Sequence, residues 1–170
     1  MTHTAELAAA AARLVVEEGL EYAAAKYKAG KAVRNHGRVE MPSNESVENE
    51  VCAYLNLYCS DTQPGELRAL RRLAMRWMTR LAEFRPHLGG AAWRGTATRR
   101  SSLHLDLYCD DPKAMEIALI NLGIAYDSTS GPPRSRGSEP SLVLSLADQC
   151  PELGERVTMP AGARRAILQG

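Results

Sequence analysis

The periodicity of this chain changes at Pro86, and that change limits the folds open to it. Upstream, Leu67, Leu70, Leu73, Ala74, Trp77, Leu81 and Phe84 recur at helical spacing and make one apolar face. Pro64 and Gly65 open that helix and Pro86 ends it. Downstream, Ser101–Tyr108 alternates: Leu103, Leu105 and Leu107 point one way, Ser102, His104, Asp106 and Tyr108 the other. Helices first and a mixed sheet afterwards predict an α+β fold.

The remaining elements fit this order. Residues 4–34 are Ala-rich with Leu7, Ala11, Leu14 and Val15 at helical spacing, and Gly19 divides them into two helices. Tyr22 and Tyr27 are expected to anchor the second. A polar loop, Asn35–Pro42, leads to a helix capped by Ser43 or Asn44, with Glu45 and Glu48 in the first turn and Val47, Val51, Tyr54, Leu55 and Tyr58 on one side. After Pro86, a short strand is expected over Gly89–Trp93. Asp111–Pro112 starts a helix with Met115, Ile117, Ala118, Leu119 and Leu122, closed by Gly123. Strands are expected at Ile124–Asp127, Leu142–Leu146 and Arg156–Met159, a loop at 128–140 and a helical piece at Gly162–Leu168. The organisation predicted is a helical region over 1–62 and an α+β domain over 63–170.

Composition excludes several classes. A chain of 170 residues, 45% hydrophobic, can bury a core and is not disordered as a whole. No stretch free of charge exceeds about a dozen residues, against roughly 20 for a membrane span. The N-terminus has no basic region before its Ala-rich run, which Glu6 and Arg13 interrupt, so a cytoplasmic protein without a secretory leader is expected. Cys52, Cys59, Cys109 and Cys150 form no CxxC pair and are expected as buried free thiols. Phosphate-binding P-loop, GxSxG and HExxH motifs are absent.

Charge is distributed unevenly. Residues 66–100 hold nine arginines (68, 71, 72, 76, 80, 85, 94, 99 and 100) against Glu66 and Glu83, a net +7, while the rest of the chain carries 12 basic and 18 acidic groups, a net −6. Arg68, Arg72, Arg76 and Arg80 form a stripe four residues apart. Two readings follow: phosphates or a polyanion bind these arginines, or they form a solvated face partly paired with Glu17, Glu18, Glu21, Glu45, Glu48 and Glu50. No recognition-helix motif indicates sequence-specific DNA binding. Trp77 and Trp93 are expected as core or pocket wall rather than a base-stacking platform.

Residues 90–108 read GAAWRGTATRRSSLHLDLY. This resembles the signature of the nucleotidyltransferase superfamily typified by DNA polymerase beta, in which a Gly-Ser is followed by an Arg-Gly or similar pair and then Ser-Asp-x-Asp-Leu. Without gaps, Gly90 falls on the first glycine, Arg94–Gly95 on the pair, Ser101 on the serine and Leu105 on the leucine. The whole chain is also similar to proteobacterial proteins assigned to that superfamily, through its Ala-rich first helix with Glu17-Glu18-Gly19 and its Pro42-Ser43-Asn44 cap.

The resemblance implies a nucleotidyltransferase-like sheet, with Gly90, Ala91, Arg94, Gly95, Thr96, Arg99, Arg100, Ser101 and Ser102 around a nucleotide or phosphate. It also implies two carboxylates on one strand face that hold Mg²⁺ or Mn²⁺. Here those positions carry Ser102 and His104, and the phosphate-contacting serine is Ala91. The expectation is a catalytically degenerate protein that retains a phosphate- or nucleotide-binding role, or a protein-interaction or homo-oligomeric one. The alternative is an active transferase with a rewritten metal site of His104, Asp106 and a third acid from the Leu142–Asp148 strand region, since one His and one Asp need help from Asp148, Asp110 or a substrate. His104 and Asp106 lie two apart, about 7 Å between Cβ atoms. Apart from chemistry, they also suit a polar, half-exposed strand face.

Overall fold

The computed structural model describes residues 3–33, 40–109, 111–130, 142–150, 153 and 155–164, and the architecture is mixed α+β. The chain divides into two compact units. Met1–Leu67 and Thr96–Ser101 make the first; Arg68–Gly95 and Ser102–Gly170 make the second. The division falls inside a helix, five residues beyond the boundary expected from sequence, and a short segment from the far side of Pro86 belongs with the first unit.

The first unit is helical. Helix α1 (His3–Glu18) packs against α2 (Tyr22–Val33) and α3 (Asn44–Tyr58). Its core is Leu7, Ala8, Ala11, Ala12, Val15 and Val16 with Ala25, Ala29, Val47, Val51 and Leu55. Alanine supports the helix without restricting a side chain. It also lets backbones approach. Tyr22 packs against this core as expected, but Tyr27 is 65% exposed rather than an anchor, and Tyr58 is 67% exposed, its ring tilted against Tyr54. Ser43 caps α3 as expected, its Oγ accepting the Ser46 N–H at 3.0 Å. Lys26 donates to Asn44 Oδ1 (2.7 Å) and the Pro42 carbonyl, which ties α2 to the start of α3.

Gly19 ends α1 with φ +70°, and its N–H donates to the Val15 carbonyl. A Cβ there would run into the Arg100 carbonyl oxygen, so this position needs glycine on two counts. Helix α4 (Gln63–Arg80) contributes its first turn to this unit. The Gln63 side-chain amide donates to the Ala97 carbonyl (3.0 Å), and Glu66 accepts the Arg99 N–H (3.0 Å). Those bonds hold Thr96–Ser101 in the first unit.

In the second unit α4 buries Leu70, Leu73, Ala74 and Trp77 as its pattern predicts, and Ala69 beside them. A short 3-10 turn, Ala82–Phe84, ends at Arg85 before Pro86. The sheet has five strands in the order β1-β2-β5-β4-β3. They are β1 (His87–Gly89), β2 (His104–Tyr108), β3 (Asp127–Ser130), β4 (Leu142–Cys150) and β5 (Glu155–Arg164). Among the described residues the β2–β5 pair is parallel and the other neighbours are antiparallel. Helix α6 (Pro112–Asn121) lies between β2 and β3 in sequence, with the Asp111 carboxylate capping the Lys113 N–H at 2.9 Å.

Several expected elements are corrected. The strand predicted over Gly89–Trp93 ends at Gly89, and Gly90–Arg94 forms the short helix α5, because the positive φ of Gly90 turns the chain and Ala91–Ala92 favour helix. The strand predicted from Ser101 begins at His104. The strand expected over Ile124–Asp127 runs Asp127–Ser130 instead, so 128–130 are not loop. Strand β5 continues through Gly162–Arg164, where a helical piece is predicted, because Gly162 and Ala163 pair with both β2 and β4. Residues 165–168 of that piece, 131–140 of the expected loop and 35–39 of the polar loop lie outside the described residues.

In α6, Met115 and Leu119 are buried, but Ile117 (57%), Ile120 and Leu122 are exposed, because a stripe set by the 115/119 pair leaves residue 117 on the far side. Trp77 is buried as predicted, whereas Trp93 is 71% exposed and belongs to no core. Cys109 is buried, but Cys52 is exposed and Cys59 partly so.

Candidate functional site

The residues singled out by sequence fall in both units. Gly90, Ala91, Arg94, Gly95, Ser102, His104 and Asp106 belong to the second; Thr96, Arg99, Arg100 and Ser101 belong to the first.

In the second unit the site is a strand, a glycine turn and a strand. The β1–β2 register pairs His87 with Asp106, Leu88 with Leu105 and Gly89 with His104. Directly opposed residues share a face. His87, His104, Asp106 and Tyr108 therefore lie on one side, and Leu88, Leu105 and Leu107 on the other. Burial agrees: Leu105 and Leu107 are inside, while His104, Asp106 and Tyr108 are half-buried. The His104 ring occupies the space where Gly90 lacks a side chain; a Cβ there would sit 2.8 Å from its Cδ2. The Asp106 carboxylate oxygen is 3.9 Å from the equivalent point on Gly89. His104 and Asp106 thus flank the turn side by side, as the alternation predicts.

Ser102 lies before the strand, not within it. His87 is a residue of this face that sequence reading did not find. Its Nδ1 lies 2.8 Å from the Arg85 carbonyl and its ring meets Tyr108 edge-on at 5.1 Å. The signal available was the two-residue period carried across the turn onto β1, which the expectation of a strand at 89–93 obscured. Helix α5 is fastened by Arg71, whose Nε donates to the Ala92 carbonyl (2.9 Å) and Nη2 to that of Trp93 (3.4 Å). Arg71 is thereby a structural member of the basic segment. Arg80 lies over the Trp77 ring, 4.7 Å from its centre. Arg68, Arg72, Arg76 and Arg94 are exposed.

The donor set does not fit the Mg²⁺ that the resemblance implies. That ion takes oxygen ligands in near-octahedral geometry, and this face offers one carboxylate and imidazole nitrogen. Among the described residues no three His, Cys, Asp or Glu side chains group so as to hold a metal. Asp148 is placed too far away to complete a site. Asp106 pairs with Gly162 and Gly162 with Val143, so Asp148 stands five residues further along β4. That is about 17 Å along the strand and two spacings of about 4.8 Å across it. Asp110 lies outside the described residues.

In the first unit, Thr96, Ala97 and Thr98 are buried and Arg99 and Arg100 exposed. The Thr98 N–H donates to Ser101 Oγ (3.0 Å), and the Ser101 N–H to the Thr98 carbonyl (2.9 Å), closing a tight turn. This turn walls one side of an open cleft of about 400 Å³, lined by Val16, Glu17, Tyr54, Cys59, Thr62, Glu66, Thr98, Arg99 and Arg100. Within it the Tyr54 hydroxyl donates to Glu17 Oε1 (2.8 Å), and Arg13 Nε reaches both Glu17 oxygens at 2.9 Å. The Tyr54 bond first, and Arg13 second, hold the Glu17 carboxyl below its ordinary range; the same bond raises the Tyr54 phenol. Glu17 and Glu18, two of the six acids considered as partners of the basic residues, pair with Arg13 and Lys28.

Comparison with protein families, curated proteins and solved structures finds no match to this chain. No helix among the described residues is long and apolar enough to cross a membrane.

Proposed function

We propose that the chain is a nucleotidyltransferase-like protein that binds a phosphorylated molecule or polyanion and does not transfer a nucleotide. The observation that carries this is the β2 face: a glycine turn beside an alternating strand, as the resemblance implies, with Asp106 as the one carboxylate on the strand. Two carboxylates are needed to hold the metal that neutralises a triphosphate and orients the attacking oxygen. An imidazole over Gly90 substitutes for neither.

The binding half of the proposal is supported by charge. Arg68, Arg72 and Arg76 run exposed along α4, and the segment that contains them carries a net +7. Such a field attracts phosphates, and release of counterions makes the attraction fall steeply with salt.

The test pairs two assays on the full chain. Labelled nucleoside triphosphates with Mg²⁺ or Mn²⁺ are expected to give no transfer, while polyphosphate or RNA binds at low salt and is released as salt is raised. Transfer that disappears in Asp106→Ala would overturn the first half and establish a rewritten catalytic site. Failure of polyphosphate, RNA and triphosphates to bind at low salt would overturn the second.

A further inference from the structure

We infer that the cleft of the first unit is a binding site for a small hydroxylated oxyanion, of the sugar phosphate or sugar acid class, with Arg100 and Thr98 as its recognition residues. This deepens the binding half of the proposed function and does not depend on the resemblance, because every lining residue belongs to the helical unit and its returning segment.

Three observations support it. The first is size: about 400 Å³ falls within the roughly 300–1,000 Å³ range of small-molecule sites. The second is an unsatisfied polar atom. Thr98 is 5% exposed, lines the cleft, and its Oγ1 has no hydrogen-bond partner. A buried hydroxyl without a partner is costly, so a ligand oxygen that supplies one is favoured. The third is the arrangement of charge. Glu17 is engaged by Arg13 and Tyr54, and Glu66 by the Arg99 N–H. Arg100 makes no hydrogen bond or ion pair with a described residue, though its charge acts on Glu17. The lining's two arginines balance its two glutamates, but Arg13, outside the lining, already pairs with Glu17, so the Arg100 guanidinium remains to meet an anion.

The rest of the lining suits the body of such a ligand. A carboxylate has about four lone-pair sites; Glu17 accepts three contacts and Glu66 the Arg99 N–H, so both retain capacity to accept from ligand hydroxyls. Thr62 adds a hydroxyl, and the Tyr54 ring with Val16 gives an apolar wall. Gly19 contributes indirectly, because only a residue without Cβ lets α1 end against the Arg100 backbone.

The experiment is isothermal titration calorimetry on the full chain with ribose 5-phosphate, gluconate, ribose and inorganic phosphate. One site per chain is expected for ribose 5-phosphate or gluconate, whichever is tighter naming the oxyanion, with ribose and inorganic phosphate weaker than both. Arg100→Gln is expected to weaken that binding about tenfold or more, as loss of a charge-assisted contact does. Thr98→Val is expected to weaken it several-fold without lowering the melting temperature, since removing an unpaired buried hydroxyl costs no bond. Lys31→Ala, an exposed charge change on α2, should leave it unaltered, and circular dichroism confirms that each variant folds.

Absence of binding by both sugar anions overturns the inference, whatever polyphosphate or RNA does. So does equal affinity for inorganic phosphate and ribose 5-phosphate, which is an ion on surface arginines only. Unchanged affinity in Thr98→Val overturns it too, as does binding that survives Arg100→Gln but is lost in His104→Ala. That last result would place the ligand at the strand–turn site of the second unit and leave the proposed function standing.

Discussion

The helical unit and the sheet unit bury different kinds of side chain. In the first, Ala8, Ala11, Ala12, Ala25 and Ala29 occupy the interior beside Leu7, Val47 and Val51. In the second, the interior holds Leu70, Leu73, Trp77, Leu81, Phe84, Leu103, Leu105, Leu107, Met115 and Leu119. Small side chains bring helix backbones close and leave no room for additions; large ones supply more apolar area and more to lose. The two units should therefore respond oppositely to changes of volume.

The largest effect tests this contrast. Leu107→Ala, at a position with no exposure, should cost about 2–5 kcal/mol through lost burial and a cavity. Ala11→Leu, equally buried, should cost about 1–3 kcal/mol through overpacking. Chemical denaturation measures both. An Ala11→Leu chain as stable as the wild type would show that the helical core is loose, and the contrast would fail.

The next effect sharpens it at two glycines, Gly19 and Gly90, which share a positive φ but meet different obstacles. Alanine at either carries strain of about 1–2 kcal/mol from the left-handed backbone. At Gly19 the obstacle is the Arg100 backbone, so Gly19→Ala should cost more than the strain alone. At Gly90 the obstacle is the His104 ring, which can rotate away, and Gly90→Ala should recover part of its loss when combined with His104→Ala. Melting temperatures of the four chains decide it: equal losses at Gly19 and Gly90, with no recovery, would mean that the obstacles do not differ.

The smallest effect concerns the exposed Tyr54–Glu17 bond. The lowered Glu17 carboxyl stabilises the fold above its ordinary value of 4.5, and this contribution is lost as pH falls through its folded value. The raised Tyr54 phenol stabilises it below 10.0, and this is lost as pH rises through its folded value. The stability difference between wild type and Tyr54→Phe should thus be greatest between those limits and shrink at both extremes. A difference that does not vary with pH would mean that the phenyl packing matters and the hydrogen bond does not.

Local signals made much of the helical architecture legible. Gly19 divided α1 from α2, Ser43 set the start of α3, and the apolar face from Leu70 to Phe84 was buried as its spacing implied. The alternation at 103–108 gave the strand and its faces, and so placed His104 and Asp106 together. The sheet partners were less legible: the strand expected at Gly89–Trp93 became α5, and β5 extended where a helix was expected. Pairing lies between residues far apart in sequence, such as Asp106 with Gly162, and no local propensity encodes it.

The sequence by itself determined the long helices α1 to α4 and α6, the α+β order and the basic segment, because caps, glycines, spacing and charge act within a few residues of where they occur. Tertiary structure decided the rest. It set His87 opposite Asp106, excluded Asp148 by strand register, and gave Thr96–Ser101 to the helical unit through Gln63 and Glu66. It also left the Thr98 hydroxyl buried without a partner beside Arg100. Each of these depends on which distant backbones come within hydrogen-bonding reach, a choice made by the folded chain as a whole.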